Sequence, residues 1–123
     1  MASVIVVDDD QYLREVLSFM LERLGHTVTT AGSPTEALAV FESHRFDAAI
    51  LDWSMPGMTG GELCAQMRRD PAVADTPVMI LTAHADQQTR DQALAAGADQ
   101  FMTKPLSLAD LSSGVEDLIN ARG

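Results

Sequence analysis

Cysteine is nearly absent. Cys64 is the only one among 123 residues. No disulfide can form within the chain, which suits a reducing compartment. Basic residues are scarce: eight Lys and Arg face eighteen Asp and Glu, for a net charge of −10. So negative a surface repels phosphate backbones and anionic lipid, which argues against direct nucleic-acid or membrane contact. A basic partner surface or a bound cation fits better. No stretch approaches the ~20 apolar residues of a membrane span. The run Val4 to Val7 is too short for a signal-peptide core, and no basic residue precedes it. A cytoplasmic protein is expected. There is no glycine-rich phosphate loop, so nothing cradles a nucleotide. Low-complexity stretches and internal repeats are also missing, and the length is that of a single domain, residues 1–123.

What is present alternates between two periods. Val4–Val7 is a continuous β-branched run, the pattern of a strand buried on both faces. Leu13, Val16, Leu17, Met20, Leu21 and Leu24 then recur at helical spacing and stop at Gly25. Thr27–Thr30 reads as a second strand. Ser33-Pro34-Thr35-Glu36 combines an N-cap, a proline at the first helical position and a glutamate three residues after the cap. The helix that follows should bury Ala37, Leu38 and Phe41. A third strand, 46–51, runs into Asp52. After a loop marked by Pro56-Gly57, Thr59 to Glu62 repeats the capping spacing, with Leu63 and Met67 inward. Strands at 77–81 and 99–102 follow, separated by a helix capped by Asp86 and closed by Gly97. Ser107 caps a last helix carrying Leu108, Leu111, Val115, Leu118 and Ile119. Strands separated by helices predict parallel β-α-β units in a three-layer, doubly wound (βα)5 sandwich.

In such sheets ligands bind beyond the carboxyl ends of the strands. Asp8, Asp9 and Asp10 follow the first strand, Asp52 the third, Thr82 the fourth, and Lys104 comes shortly after the fifth. Distant stretches thus deliver carboxylates, a hydroxyl and an ammonium to one edge. Crowded carboxylates force at least one pKa upward unless a cation relieves them. Lys104 is one such cation. A hard dication held by a few oxygens with room for water is the other, which favours Mg²⁺, with Asp8, Asp9 and Asp52 as ligands. Such a site suits phosphoryl transfer. A carboxylate can accept phosphorus, while Mg²⁺, Lys104 and Thr82 neutralise the three phosphoryl oxygens.

The chain resembles a two-component response-regulator receiver domain of the chemotaxis-regulator kind over essentially its whole length. The resemblance rests on Val6-Val7-Asp8-Asp9-Asp10, on Leu51-Asp52 with Met55-Pro56-Gly57-Met58-Thr59-Gly60, and on Ile80-Leu81-Thr82-Ala83. Gly97-Ala98-Asp99-Gln100-Phe101 and Lys104-Pro105 complete it. It implies a flavodoxin-like sheet of order 2-1-3-4-5. It also implies Asp52 as phospho-acceptor and Asp8, Asp9, Asp52 and the Ser54 backbone carbonyl as the Mg²⁺ site. Thr82 and Lys104 would bind the phosphoryl group. Thr82 and Phe101 would be the switch pair, and Lys104-Pro105 a cis peptide. The donor would be a phosphohistidine on a sensor histidine kinase or histidine phosphotransfer protein. The output face would be the fourth helix, fifth strand and last helix. A homodimer stays open. Such a domain catalyses its own phosphorylation and dephosphorylation and is not a turnover enzyme. Trp53 departs from the family's usual aliphatic residue. Ser54 and His84, at positions that tune dephosphorylation, are neither acid nor amide.

Two other functions compete. Asp8-x-Asp10 after an apolar strand nearly fits a haloacid-dehalogenase-type Mg²⁺ phosphohydrolase with Asp8 as nucleophile, although Tyr12 spoils that signature. A receiver-fold binding module that is never phosphorylated is the other. Blander readings apply elsewhere: Asp10 as a helix cap, Cys64 as a buried small residue, His26 and His44 as exposed, Trp53 as a rim residue covering the site. The fourth helix has Leu94 as its only large apolar residue, and such sparse anchoring suits an element that moves.

Overall fold

The computed structural model describes residues 2–83 and 86–122. Five strands alternate with five helices: β1 (Ser3–Val7), α1 (Gln11–Arg23), β2 (Thr27–Ala31), α2 (Pro34–Phe41), β3 (Ala48–Asp52), α3 (Gly60–Arg69), β4 (Val78–Thr82), α4 (Gln87–Ala95), β5 (Gln100–Thr103) and α5 (Leu108–Arg122). All strand pairs are parallel, in the order β2-β1-β3-β4-β5.

Side-chain alternation builds the three layers. Ile5, Val7, Ala49, Leu51, Val78 and Ile80 face one side, where α2, α3 and α4 cover them with Phe41, Leu63, Met67 and Ala93. Val4, Val6, Ala48, Ile50, Met79 and Leu81 face the other, covered by Leu17 and Leu21 of α1 and by Leu111, Val115 and Leu118 of α5. The central strands β3 and β4 are buried along their whole length, as continuous apolar runs demand. The helices split this way because the chain first steps from β1 to β2 and then moves in the opposite direction through β3, β4 and β5. Crossovers of one hand must then lie on opposite faces. The reversal opens a crevice between the carboxyl ends of β1 and β3.

Local signals set the ends. Asp10 caps α1 by accepting the Tyr12 and Leu13 amides, and Ser33 caps α2 through Glu36 N–H. Thr59 and Glu62 form a reciprocal capping box on α3. Asp86 and Ser107 cap α4 and α5. Gly25, Gly57 and Gly97 close turns with φ of 93°, 86° and 103°, a region other residues rarely enter.

Several boundaries differ from the sequence reading. The third strand begins at Ala48 rather than Phe46. Phe46 packs edge-on to Phe41 with ring centroids 6.1 Å apart, and Asp47 turns its carboxylate onto the Ser3 amide. Strands β3, β4 and β5 each run one residue further than expected, because Asp52 pairs with Leu81 and Thr82 with Thr103. Leu38 is only half-buried. Leu108 is exposed, as is Leu94 at 46%, so Ala93 is the one buried residue of α4. His26 is half-buried and accepts the Ala2 amide at Nδ1, whereas His44 is exposed as expected. No helix among the described residues is long and apolar enough to cross a membrane.

Candidate functional site at the carboxyl edge of the sheet

Asp8 leaves the end of β1 and is buried, at 1% exposure. Asp52 ends the neighbouring β3 and is 6% exposed. Asp9, one residue further, reaches solvent. One carboxylate oxygen from each lies within 4.8 Å of the others. Lys104 follows β5, and its amide donates to the Thr82 carbonyl at 2.8 Å, which turns the chain back over the strand ends. Its Nζ donates to Asp52 Oδ1 at 2.8 Å and to Asp8 Oδ2 at 3.2 Å. Asp8 Oδ1 accepts the Asp10 amide at 2.9 Å. Thr82 ends β4 beside them, buried. The sheet therefore brings together Asp8, Asp9, Asp52, Thr82 and Lys104, as their strand-end positions suggested.

The electrostatics follow from burial. The Asp52 carboxyl is held above its ordinary range, chiefly by loss of solvent. The Lys104 hydrogen bond and charge oppose that rise, while the negative charges of Asp8 and Asp9 add to it. Burial alone would lower Lys104, but its hydrogen bond to Asp52 and the charges of Asp52 and Asp8 outweigh it, and the ammonium is held above its usual value. The one contact thus acts on both partners, lowering Asp52 and raising Lys104, but at Asp52 burial and the like charges of Asp8 and Asp9 outweigh it. Three carboxylates and one ammonium leave two formal negative charges in an all-oxygen donor set. That set fits a hard dication such as Mg²⁺.

Other expectations fare differently. Asp10 is spent on the α1 cap. Ser54 is exposed two residues beyond Asp52. Phe101 is half-buried on β5, with the Arg90 guanidinium 5.9 Å from its ring centroid. The Lys104-Pro105 peptide is cis. Cys64 is buried on α3. The Trp53 ring lies against Gly61 and lines a groove with Ala65, Ala95 and Ala96 between α3 and α4. His84 lies outside the described residues.

Two arginines went unnoticed in the sequence. Arg14 Nη1 donates to the Asp8 backbone carbonyl at 2.7 Å. Arg68, in the last turn of α3, donates to the carbonyls of Gly97, Ala74 and Thr76 and pairs with Asp99 at 3.0 Å. Together these Arg68 contacts join three segments at the opposite end of the sheet. A basic residue at a helix C-terminus is a visible signal, but carbonyl acceptors carry no side-chain identity to search for.

Fold and site define a class: a flavodoxin-like α/β domain with a lysine-closed carboxylate pocket at its topological switch point. Residues 4–116 match the family model of the response regulator receiver domain. The chain belongs to that family, and is a receiver domain of the two-component response-regulator type. It is 32% identical over 121 residues to the phosphate regulon transcriptional regulatory protein PhoB of Pseudomonas aeruginosa, covering 98% of this chain and 53% of that protein. It is 39% identical over 116 residues to the response regulator MprA of Mycobacterium ulcerans, covering 94% and 49%. The chain spans about half the length of the curated relatives it matches. Among solved structures, the chemotaxis protein CheY4 of Vibrio cholerae superposes with a TM-score of 0.91 at 33% identity, covering 96% of this chain and 98% of that one. The receiver domain of the sensor histidine kinase PA1611 from Pseudomonas aeruginosa, solved with magnesium in its active-site cleft, gives 0.89 at 28%, covering 97% and 98%.

The phosphohydrolase alternative finds no support. Its second aspartate, Asp10, faces helix amides rather than the cluster. The inert binding module finds none either.

Proposed function

We propose that this receiver accepts a phosphoryl group on Asp52 from a phosphohistidine, with Mg²⁺ held by Asp8, Asp9, Asp52 and the Ser54 backbone carbonyl. The observation that carries the reading is the Lys104 ammonium bridging Asp52 and Asp8 at the switch point. Mg²⁺ when bound supplies charge neutralisation for a phosphoryl oxygen. The remaining work falls to the chain. Asp52 is the carboxylate that forms an O–P bond as the donor's P–N bond breaks, and burial keeps competing water from it. Lys104 already sits on its oxygen and is positioned to follow the negative charge onto the phosphoryl group. The Thr82 hydroxyl, at the neighbouring strand end, donates to another oxygen.

Drawing Thr82 toward the phosphoryl group vacates space beside β5 that Phe101 can fill, which biases an existing two-state equilibrium. Helix α4, with one buried residue, yields readily. The output face is accordingly α4, β5 and α5. The donor is a sensor histidine kinase or a histidine phosphotransfer protein, in the cytoplasm, and the domain modifies itself rather than turning over a substrate. Homodimerisation is one form of output; pull-down with and without beryllofluoride identifies the partner.

Trp53 follows Asp52 directly and is the only tryptophan. Its fluorescence is expected to change with millimolar Mg²⁺ and again with beryllofluoride, and Asp52→Asn is expected to weaken both responses. A silent wild-type protein would return the inert module to favour.

A further inference from the structure

The three carboxylates are not held alike. Asp8 is pinned by its own amide on the Ala31 carbonyl, by the Asp10 amide and by Lys104. Asp52 is pinned by Lys104 and by its place in the β3–β4 ladder. Asp9 is exposed, and among the described residues its carboxylate makes no hydrogen bond or ion pair. Its position depends on the main chain that delivers it.

That main chain has a side-chain anchor on each side of Asp9: Asp8 Oδ1 accepts the Asp10 amide after it, and Arg14 holds the Asp8 carbonyl before it. The Asp8 carbonyl lies in the peptide plane that carries the Asp9 nitrogen and Cα, so fixing the carbonyl direction fixes where Asp9 departs. Arg14 Nη1 donates to that carbonyl at 2.7 Å from the first turns of α1. The guanidinium is itself confined. It lies over Gly32, where a Cβ would stand 3.2 Å from Nη1 and 3.4 Å from Cζ. Gly32 is outside the left-handed region, so its backbone does not demand glycine, but the arginine above it leaves little room. Gly32 is held in turn by its amide on Glu36 Oε1. Arg14 therefore bridges the turn after β1 to the turn after β2.

We infer that Arg14 is a positioning residue for the acidic pocket: through the Asp8 carbonyl it sets where Asp9 presents its carboxylate to the divalent ion. This rests on the Mg²⁺ reading of the pocket given above. Removing an outer partner that orients a metal ligand typically costs about 10–100-fold in metal affinity or activity.

The test is a Mg²⁺ titration of the whole chain followed by Trp53 fluorescence, with urea unfolding alongside. Arg14→Ala is expected to weaken Mg²⁺ binding about 10-fold, with acetyl phosphate reactivity recovered at saturating Mg²⁺. Arg14→Lys keeps a donor without the planar fork and is expected to fall between. Gly32→Ala leaves Arg14 in place but displaces its guanidinium, and is expected to weaken Mg²⁺ binding less, with no further loss when combined with Arg14→Ala. Wild-type affinity in Arg14→Ala would overturn the inference, as would a stability loss with unchanged affinity. If Arg14→Ala fails to fold, Gly32→Ala decides: weakened binding supports the role and unchanged binding overturns it. A wild-type chain that ignores Mg²⁺ would refute the pocket reading instead.

Discussion

Replacing Lys104 with methionine isolates the electrostatics of the pocket. Methionine keeps the apolar stem in place, so the loss is the ammonium and little volume. Two charge-assisted hydrogen bonds go, at 2.8 and 3.2 Å, and two buried carboxylates are left facing each other. Breaking a fully buried pair costs about 3–5 kcal/mol; with 22% of the Lys104 side chain in solvent, a loss of about 2–3 kcal/mol at pH 7 is expected.

The pH dependence has a definite sign. The folded pKa of Asp52 is already raised, so its ionised form disfavours folding, and that penalty is absent below the unfolded value and grows as pH rises through the folded one. Removing Lys104 takes away an interaction that lowers this pKa and enlarges the penalty. The deficit of Lys104→Met is therefore expected at neutral pH and should vanish as pH falls through the folded pKa of Asp52. At the alkaline end the wild-type protein itself loses the lysine's contribution. The pKa of Lys104 is raised, so its stabilisation is complete below about 10.5 and fades as pH rises through the folded value. Urea unfolding across pH gives the curve. Equal stability at pH 7, or a deficit that ignores pH, would refute the reasoning.

Three further outcomes are expected. Arg68→Ala should cost about 2–4 kcal/mol in urea unfolding, since it removes the guanidinium donor from the Gly97, Ala74 and Thr76 carbonyls and the ion-pair partner from Asp99 together. Asp99 retains the Val78 amide, so Asp99→Asn should cost less than Arg68→Ala. Gly60→Ala should disturb the pocket more than Gly61→Ala, because its Cβ would run into the Asp52 backbone carbonyl, whereas the Gly61 Cβ meets the Trp53 ring; Mg²⁺ affinity measured in both variants checks the order. Arg90→Ala should lower stability by only about 0.5–1 kcal/mol, the value of an exposed cation–π contact with Phe101, and amide exchange in α4 should quicken.

The layered fold was legible because it depends on period. Two-residue alternation sends Ile5 and Val7 to one face and Val4 and Val6 to the other, and each helix stripe marks the layer that covers them. The pocket was legible because strand ends converge in a parallel sheet wherever they stand in the chain, so Asp8, Asp52 and Lys104 meet across separations of 52 and 96 residues. What escaped has a common cause. Arg14 and Arg68 act on backbone carbonyls, which no residue type advertises. The orientation of Trp53 depends on the missing side chain of Gly61, and the exposure of Leu94 on which face of a weakly patterned helix turns inward. Both are decided by packing rather than by local propensity.

The most direct measurement is to locate the modified carboxylate. The chain is incubated with acetyl phosphate and Mg²⁺, the acyl phosphate is trapped as a stable adduct, and the peptides are sequenced by mass spectrometry. The label is expected on Asp52 and should disappear in Asp52→Asn. A label on Asp8 that survives in Asp52→Asn would contradict the account.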